Sequence, residues 1–413
     1  MSMRTSIRKT CRVCNSDKLT KLETFSNYPL FDDIVNNDKK GTEYIDSLDI
    51  IICNDCNTLQ NPKDIDFQNY YRDYVYSVGS SNFASAYMKE VVSKTLACMN
   101  LSKQVNVIDI GSSDGEFLSY FQKQGCRTLG FEGSSYLAEK SKKKGIATIN
   151  SLFTNKSKDL AKKYSINKPD LVCLLHTFDH LPDPNQFLND IKSLLDIGSY
   201  LLIEVHSLDK MIQKSEGAIF AHEHTCYYSE VTLKNLLATH DFEVVDYNFI
   251  DDKKMRGSSQ VILCKFNSEK NHSIINSNEI SVSTKEFILQ LSKANKAVKT
   301  YINGLSSENY RVSGFGGWGR GIGSIAQAEL TEKELYCVFD NNQNLNECYI
   351  PGTNIPIYSP SKEKLDEINE IIVFNYGYIE EIRQQILDLT SKQIKITSIN
   401  EIRQKENSSD NLM

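Results

Sequence analysis

Residues 105–116, which read VNVIDIGSSDGE, decide the fold expected for this chain. The first six form a short apolar run typical of a buried strand, and they lead directly into a turn that contains Gly111 and Gly115. A helix is predicted over Glu116–Gln124. Strand, glycine turn and helix form the first unit of a doubly wound sheet, in which glycine lets the backbone approach a ligand closely. The stretch therefore predicts an α/β domain with a ligand at this turn.

The following strands extend the same pattern. The predicted strand Arg127–Phe131 ends at Glu132, where a carboxylate can accept both ribose hydroxyls of a nucleoside cofactor. Another predicted strand, Asp170–Leu175, ends in the polar loop HTFDHLPDP over residues 176–184, and a further strand spans Ser199–Val205. The order predicts a nucleoside-binding edge where these strands end.

This succession resembles the class I S-adenosylmethionine methyltransferases. The shared features are D-x-G-x-x-x-G from Asp109 to Gly115, the acidic Glu132 and the H-L-P-D-P segment. A NAD-binding domain is the alternative, but GSSDG lacks the third glycine of G-x-G-x-x-G, and S-adenosylmethionine has no pyrophosphate. The resemblance implies that S-adenosylmethionine is bound by eight residues. They are Asp109, Gly111, Asp114, Gly115, Glu132, His176, Asp179 and His180.

Four cysteines near the N-terminus form two C-x-x-C pairs, Cys11 with Cys14 and Cys53 with Cys56. Two such pairs can complete a tetrahedral four-thiolate site, which suits a structural zinc ion because no position is left for substrate. A redox dithiol and chance are the alternatives. The segment has few large apolar residues, so we expect it to be poorly ordered without metal. A tyrosine-rich connector, residues 66–76, follows as either a substrate-facing edge or packing between domains.

The bulk composition narrows the classes of function. A chain of 413 residues predicts two or three domains. The net charge of −6 argues against a broad surface for nucleic acid or anionic membranes. The N-terminus lacks the apolar core of a signal peptide, and the longest apolar runs are only strand-length. We therefore expect a cytoplasmic protein with reduced thiols and with neither nucleic acid nor membrane as a partner.

The segment Ala218–Ser229 contains two histidines around a glutamate, His222, Glu223 and His224, followed by Tyr227. Metal ligation is one interpretation, although H-E-H lacks the i, i+4 spacing of two ligands on one helix face. Acid–base chemistry is another, since histidine titrates near neutral pH and a carboxylate can orient it. A purely structural role before the predicted helix, residues 229–239, is the third.

The C-terminal part repeats the strand, glycine loop and helix pattern. A long helix is predicted over Ser281–Leu305, and a strand over Tyr310–Phe315 leads into GGWGRGIG and a helix over Ser324–Ala328. Further strands are predicted at Leu335–Asp340 and from Ile371. The pattern predicts a Rossmann-like half whose loop and helix N-terminus face a diphosphate, with arginine as a phosphate partner. A domain kept only for packing is the alternative.

The whole order resembles the three-domain sugar C-methyltransferases, typified by the C3-methyltransferases of deoxysugar biosynthesis. The resemblance covers nearly the whole chain. It implies an α/β protein with a zinc-binding domain over residues 1–75, a class I methyltransferase core over 76–265, a C-terminal Rossmann-like domain over 266–403 and a disordered tail over 404–413. The expected oligomeric state is monomer or dimer.

The same resemblance implies roles for single residues. His224 is the expected base, with Glu223 beside it and Tyr76 contacting the sugar, and His222 and Tyr227 complete the expected catalytic set. The nucleotide-sugar substrate is expected at Gly316, Gly319, Arg320, Gly321 and Asn375. The chain departs from the family where its tyrosine before H-E-H is replaced by Ala221, which removes a hydroxyl from the expected site.

The predicted reaction is methyl transfer from S-adenosylmethionine to the carbon beside the keto group of a nucleotide-linked deoxysugar, at C3 of a 4-keto sugar. That carbon is acidic because its carbanion is delocalised as an enolate, so a base and donors to the oxyanion are needed. A sugar O-methyltransferase, a non-catalytic sugar-nucleotide binding protein and a zinc hydrolase using His222 and His224 are the alternatives.

Overall fold

The computed structural model describes most of the chain in three consecutive parts. The described residues are 3–31, 35–72, 82–101, 104–251, 257–267, 275, 277–305, 310–374 and 376–409. Tyr76 and Asn375, both expected in the site, lie outside them. No helix within these ranges is both long and apolar enough to cross a membrane.

The first part is an antiparallel β-structure around the cysteine pairs. Its strands and helix are β1 (Thr5–Ile7), β2 (Leu19–Pro29), β3 (Ile45–Cys53), β4 (Leu59–Gln60), β5 (Lys63–Ile65) and α1 (Gln68–Arg72). The long hairpin of β2 and β3 buries Phe25, Tyr28, Leu48, Ile50 and Ile52 in an apolar cluster shared with the later parts of the chain. The expectation that this segment has few large apolar residues to bury is therefore wrong.

The middle part is built on a seven-stranded sheet. Its elements are α2 (Asn82–Met99), β6 (Asn106–Ile110), α3 (Glu116–Lys123), β7 (Arg127–Glu132), α4 (Ser135–Lys143), β8 (Thr148–Asn150), α5 (Ser157–Lys162), β9 (Leu171–Leu175), α6 (Pro184–Leu194), β10 (Tyr200–His206), α7 (Leu208–Lys214), β11 (Cys226–Tyr227), α8 (Glu230–Ala238), β12 (Phe242–Tyr247) and β13 (Ser259–Phe266). The strand order is β12-β13-β10-β9-β6-β7-β8, and β13 runs antiparallel to both of its neighbours.

The order of this sheet places the site. The chain builds β7 and β8 on one side of β6 and then returns to build β9 and β10 on the other. The carboxyl ends of β6 and β9 therefore meet at a topological switch point, where open α/β sheets bind ligands. Apolar clusters cover both faces of the sheet, as expected for parallel strands made of continuous apolar runs. The predicted fold class is confirmed.

The third part is a smaller parallel sheet. Its elements are α9 (Asn278–Leu305), β14 (Val312–Phe315), α10 (Arg320–Gln327), β15 (Val338–Phe339), β16 (Ile357–Tyr358), α11 (Lys362–Leu365), β17 (Glu370–Val373), α12 (Ile379–Leu389), β18 (Lys395–Ser398) and α13 (Ile399–Ser409). The strand order, β16-β15-β14-β17-β18, corresponds to the first five strands of the Rossmann order 3-2-1-4-5-6. Helix α13 packs on α9 and continues to Ser409, so residues 404–409 are helical and not the disordered tail that the sequence predicted.

The three parts meet around the segment that contains H-E-H. Strand β11 joins the N-terminal hairpin as the edge of a four-stranded sheet, β11-β4-β3-β2. The Tyr28 hydroxyl of β2 donates to the carbonyl oxygen of Phe220 and accepts from the Gln327 amide of α10. The N-terminal hairpin therefore fixes the backbone of this segment from the side opposite to the seven-stranded sheet.

Candidate active site

The glycine turn after β6 touches the loop after β9 across the switch point. Gly111 has a φ of +76°, and a Cβ atom there would lie 2.4 Å from the Thr177 hydroxyl oxygen. Gly115 has a φ of +75° and precedes α3 directly. Two independent features therefore require glycine at position 111, the left-handed backbone and the close packing of Thr177.

Two acidic residues lie at this turn, as the sequence predicted. Asp109 is buried, and its Oδ1 atom has no hydrogen-bond partner among the described residues. Burial, with Glu132 close by, raises the pKa of Asp109 to about 8. The two carboxylate oxygens of Glu132 accept the backbone N–H groups of Ser113 and Ser134, each at 2.7 Å. Each oxygen has a second lone pair, so Glu132 can still accept hydroxyl donors from a ligand.

Asp114 has a different environment from the one expected of a cofactor-binding residue. Its Oδ2 atom lies 2.9 Å from the ammonium of Lys144 and 4.0 Å from that of Lys140. Both lysines belong to the C-terminal end of α4 and the residue after it. The carboxylate of Asp114 therefore connects the glycine turn to that helix end.

Four histidines surround one buried carboxylate at the ends of β9 and β10. The ring centroids of neighbouring pairs are 4.8–4.9 Å apart: His176 with His206, His206 with His224, and His180 with His224. The carboxylate is Asp179, whose Oδ2 lies 2.8 Å from Nδ1 of His206 and whose Oδ1 lies 3.9 Å from Nε2 of His180. We call these five residues the histidine cluster.

Burial sets the charge within the histidine cluster. It lowers the pKa of His180 to about 4 and that of His206 to about 3, so both rings are neutral near pH 7. Burial also opposes the ionisation of Asp179, but the hydrogen bond from His206, together with the charges that the neighbouring histidines carry at low pH, holds its pKa well below the ordinary value. The cluster therefore contains a carboxylate beside neutral imidazoles.

The tautomer of His224 follows from its hydrogen bond. Nδ1 lies 2.7 Å from the carbonyl oxygen of Ile219, which can only accept, so Nδ1 carries the proton of the neutral ring. Nε2 then has a free lone pair. The ring that carries this lone pair packs against His180 and His206 of the histidine cluster.

His222 and His224 have different surroundings, although only one residue separates them. Nε2 of His222 lies 2.8 Å from the carbonyl oxygen of Tyr28, and the ring packs edge-on against Tyr28 and Tyr44. Burial lowers its pKa to about 4. His222 therefore packs against the N-terminal part of the chain and is not part of the histidine cluster, which differs from the expected catalytic role.

Tyr227 is fully buried beneath the same segment. Its hydroxyl accepts the backbone N–H of Ala221 at 3.2 Å and lies 3.3 Å from that residue's carbonyl oxygen. Its ring packs against Phe220. The hydroxyl therefore secures the backbone, and it does not replace the hydroxyl that is missing at Ala221. Glu223 is buried beside His224, and its Oε2 atom has no hydrogen-bond partner in the described part of the chain.

The connector reaches the histidine cluster through Tyr71. Its hydroxyl lies 2.9 Å from Nδ1 of His180, and its ring packs with Phe67 and Tyr70. These contacts agree with packing of the connector against the middle part of the chain, and the interpretation as a substrate-facing edge stays a prediction. Tyr76, which the resemblance selected, lies outside the described residues.

The four cysteines come together as the sequence predicted. Sγ of Cys11 lies 3.5 Å from Sγ of Cys56, and Sγ of Cys14 lies 3.5 Å from Sγ of Cys53. Zinc–sulfur bonds of about 2.3 Å place the sulfurs of a tetrahedral site about 3.8 Å apart, close to these distances. The side-chain amide of Gln60 donates to Sγ of Cys11, as is usual around thiolate ligands.

The glycine loop of the third part follows β14 and begins α10. A Cβ atom at Gly321 would lie 1.8 Å from the carbonyl oxygen of Gly316, so glycine is required for the helix to pack on the strand end. This requirement explains why α10 begins at Arg320, four residues earlier than the sequence predicted. Gly319 has a φ of +54° and open space around it. The backbone N–H of Gly317 donates to Asp340, at the end of β15.

Arg320 has a partner within the chain. Its guanidinium lies 2.5 Å from the carboxylate of Glu216, which is buried and also accepts from the Ser258 hydroxyl. The arginine was expected to be available for phosphate, whereas here it links the middle and third parts of the chain.

Two family models match the chain, one in its middle part and one in its third part. The first, described as a methyltransferase domain, matches residues 82–247, and the second, a C-methyltransferase C-terminal domain, matches residues 259–399. The C-methyltransferase NovU of Streptomyces niveus is 23% identical over 389 residues, which are 90% of each chain.

This chain is a methyltransferase. Solved structures similar to part of this methyltransferase include two further methyltransferases. Magnesium protoporphyrin IX methyltransferase from Synechocystis, with S-adenosylmethionine bound, is 14% identical and has a TM-score of 0.36, with 49% of this chain and 98% of that one covered. The 1,6-didemethyltoxoflavin N1-methyltransferase of Burkholderia thailandensis, with S-adenosylhomocysteine bound, is 20% identical with a TM-score of 0.36, covering 49% and 86%.

Two residues of the candidate site were not predicted from the sequence. His206 is the last residue of β10, one position beyond the strand predicted from the apolar run. A polar residue at the carboxyl end of a central strand was the available signal, since such ends meet at the site. Glu204 of the same strand is also buried and lies 3.0 Å from Nε2 of His176, which fixes that ring against the sheet.

Proposed function

We propose that this methyltransferase uses S-adenosylmethionine to methylate the carbon beside the keto group of a nucleotide-linked deoxysugar, with C3 of a 4-keto sugar as the expected position. The observation that carries the proposal is the tautomer of His224. Its proton is on Nδ1, and Nε2 is therefore available as a base on a ring that packs against His180, in the loop after β9, and His206, at the end of β10. Removing a proton from carbon requires such a base, and an enolisable ketone is a substrate that needs it.

The residues at the glycine turn fit a nucleoside sulfonium cofactor. The left-handed backbone of Gly111 and the unused Oδ1 atom of buried Asp109 leave room and an acceptor for a ligand. Glu132 would accept the ribose hydroxyls, and Gly115 would let the start of α3 approach. When bound, S-adenosylmethionine supplies an electrophilic methyl group. Asp114 is not included, because its carboxylate pairs with Lys144.

The chain's own residues can remove the substrate proton and stabilise the enolate that results. Nε2 of His224 takes the proton from the carbon beside the ketone, and the electron pair of that C–H bond moves into the carbonyl group as an enolate. Burial raises the pKa of Glu223, which favours its neutral form, and a neutral carboxyl group can donate a hydrogen bond to the enolate oxygen. Tyr71 orients His180 on the neighbouring side.

We propose that the third part of the chain holds the nucleotide. The glycine loop after β14 and the N-terminus of α10 present backbone N–H groups of the kind that bind a diphosphate. Gly316, Gly319 and Gly321 would form that loop. Arg320 could contact phosphate only by exchanging or sharing its pairing with Glu216. Four thiolates from Cys11, Cys14, Cys53 and Cys56 would hold a structural zinc ion.

Deuterium exchange tests the proposal directly. The purified chain is incubated in D₂O with S-adenosylhomocysteine and a panel of 4-keto sugar nucleotides, and mass spectrometry follows deuterium in the sugar. We expect exchange beside the ketone, and methylation at the same carbon when S-adenosylmethionine is supplied. Replacing His224 by glutamine should slow both by at least ~10²-fold, within the range for loss of a general base.

His222→Gln is the matched control, because that residue lies in the same segment but its ring contacts the N-terminal part of the chain. It should keep exchange within a few-fold of the parent, provided the variant remains folded. Methylation of a sugar hydroxyl without exchange at carbon would overturn the proposal in favour of O-methylation. Exchange at the parent rate in His224→Gln would remove His224 from the role of base.

A further inference from the structure

Asp179 is a buried carboxylate with one oxygen bound and the other unused. Its Oδ2 atom accepts a hydrogen bond from Nδ1 of His206 at 2.8 Å, whereas Oδ1 has no hydrogen-bond partner among the residues that the structure describes. A buried ion is stable only when charge or hydrogen bonds compensate the loss of water. Oδ1 therefore lies where a positive charge would be stabilised.

His224 is the group of the histidine cluster that can supply this charge. One of its ring nitrogens lies within 4.8 Å of a carboxylate oxygen of Asp179. The two closer rings, His180 and His206, have lowered pKa values because both are buried, so neither is charged near pH 7. A proton taken up by Nε2 of His224 would form an ion pair with Asp179, whose carboxylate is buried, and such a pair interacts more strongly than two exposed charges.

We infer that Asp179 is the counter-ion of the base: its carboxylate stabilises the imidazolium that His224 becomes when it accepts the substrate proton, and His206 holds that carboxylate in position. This inference rests on the proposed function of His224. In the step itself the C–H bond breaks, the proton bonds to Nε2, and the electron pair remains on the substrate as the enolate. Asp179 keeps its charge throughout, so it is a positioning residue that acts through His224.

Several titratable groups of the described residues surround the ring of His224. These groups come from the loop after β9, the end of β10 and the segment of His224 itself, and they are Asp179, His180, His206, Glu223 and Tyr227. Burial raises the pKa of Glu223 and of Tyr227, which favours the neutral form of each. Of the described groups that face His224, Asp179 is therefore the one that stays negative near neutral pH.

Histidine NMR on the whole chain tests the inference without requiring a substrate. The protein is labelled with ¹³C-histidine, its zinc is retained, and the signal of His224 is identified by its loss in His224→Gln. Removing the charge of Asp179 disfavours the imidazolium, so in Asp179→Asn the pKa of His224 should fall by about one unit or more, the size expected for a nearby opposite charge. An unchanged pKa would overturn the inference.

Three control variants separate the charge of Asp179 from its effect on the structure. Asp170→Asn removes another buried carboxylate, just before the opposite end of β9, where it accepts the backbone N–H of Asn106. That variant should leave the pKa of His224 where it was. His206→Asn keeps an N–H donor near the position of Nδ1, so it should preserve most of the effect of Asp179 on the pKa of His224. His206→Leu has no such donor and should lose part of that effect.

Turnover gives the second measurement. In Asp179→Asn we expect kcat to fall on the order of 10²-fold with KM changed less than about threefold, as when a group acts mainly in the transition state. The acidic limb of the profile of kcat/KM against pH should move to lower pH, which loss of structure alone would not cause.

The outcomes distinguish the inference from the proposed function. If His224→Gln abolishes turnover but Asp179→Asn leaves both the pKa of His224 and the pH profile unchanged, only the inference fails. If His224→Gln keeps full turnover, the proposed function fails, whatever the NMR titration shows. A second metal ion in the parent protein that disappears in Asp179→Asn would also overturn the inference, since the cluster would then be a metal site.

Discussion

Replacing Gly111 by alanine should weaken cofactor binding through two effects that can be measured separately. The first is the backbone, because Gly111 has a φ of +76° and an L-residue in the left-handed region costs about 1–2 kcal/mol. The second is packing, because the new Cβ atom would lie 2.4 Å from the hydroxyl oxygen and 3.2 Å from the methyl group of Thr177. Overpacking of this kind costs about 1–3 kcal/mol.

Together the two effects amount to about 2–5 kcal/mol if the turn must move to accommodate the methyl group. If that movement displaces the ligand-binding backbone, affinity falls by the same free energy, which is about 30-fold to several thousandfold at 1.4 kcal/mol per tenfold. Thr177→Ala removes the two closest atoms and leaves a carbon at 3.4 Å from the new Cβ, an ordinary contact. The double variant should therefore recover about fivefold or more of the affinity, because only the packing effect is relieved.

Calorimetric titration with S-adenosylhomocysteine measures all of the variants. Gly125→Ala is the matched control, since Gly125 has a φ of +81° and a Cβ atom there would meet no other atom within 4 Å, so affinity should be unchanged. Thr177→Ala alone corrects for the loss of its own contact with the carbonyl oxygen of Leu175. Parental affinity in Gly111→Ala, or no recovery in the double variant, would refute the reasoning about this turn.

Two further predictions concern metal and pH. The parent chain should contain about one zinc ion, as one tetrahedral site requires, and Cys14→Ser should lose it while hydrogen exchange still protects the β2–β3 hairpin, whose apolar residues are buried independently of the ion. Elemental analysis without zinc in the parent would contradict this. Burial raises the pKa of Asp109 from 3.8 to about 8. Between these pH values the ligand-free folded protein holds a proton that the unfolded chain releases. The free energy of unfolding therefore falls as pH rises. Asp109→Asn has no such proton to release, so its thermal midpoint should rise relative to that of the parent between pH 5 and pH 8. Thermal midpoints that change in parallel with pH in the two proteins would rule out the raised pKa.

The N-terminal part of the chain supports the loops that carry the histidine cluster. The Tyr28 hydroxyl holds the carbonyl oxygen of Phe220, and the backbone of Thr225 donates to the carbonyl oxygen of Asp179. Arg12, which is fully buried, donates to the carbonyl oxygen of Pro182, two residues after His180. The N-terminal part therefore contacts both the loop of His180 and the segment of His224.

Local sequence was sufficient where the physical cause is local. The apolar run at residues 105–110 and the glycines after it predict a strand and a ligand-binding turn, because buried parallel strands need continuous apolar residues and a left-handed turn needs glycine. The spacing of Cys11, Cys14, Cys53 and Cys56 likewise predicts one four-sulfur site. The strand, the left-handed glycine turn and the grouping of the four sulfurs agree with the structure, as does the order of elements in the methyltransferase core.

Contacts between residues distant in the chain could not be predicted in this way. The sequence could not show that His222 and His224 have different surroundings, that Arg320 pairs with Glu216, or that His206 meets Asp179. These contacts are made by strand order and by packing between parts of the chain, and none of them has a local pattern. The sequence by itself therefore determined the fold class and the kinds of residue in the candidate site. The tertiary structure decided which histidine of H-E-H joins the histidine cluster and which carboxylate lies beside it, because burial and the distance to each partner depend on contacts between distant parts of the chain.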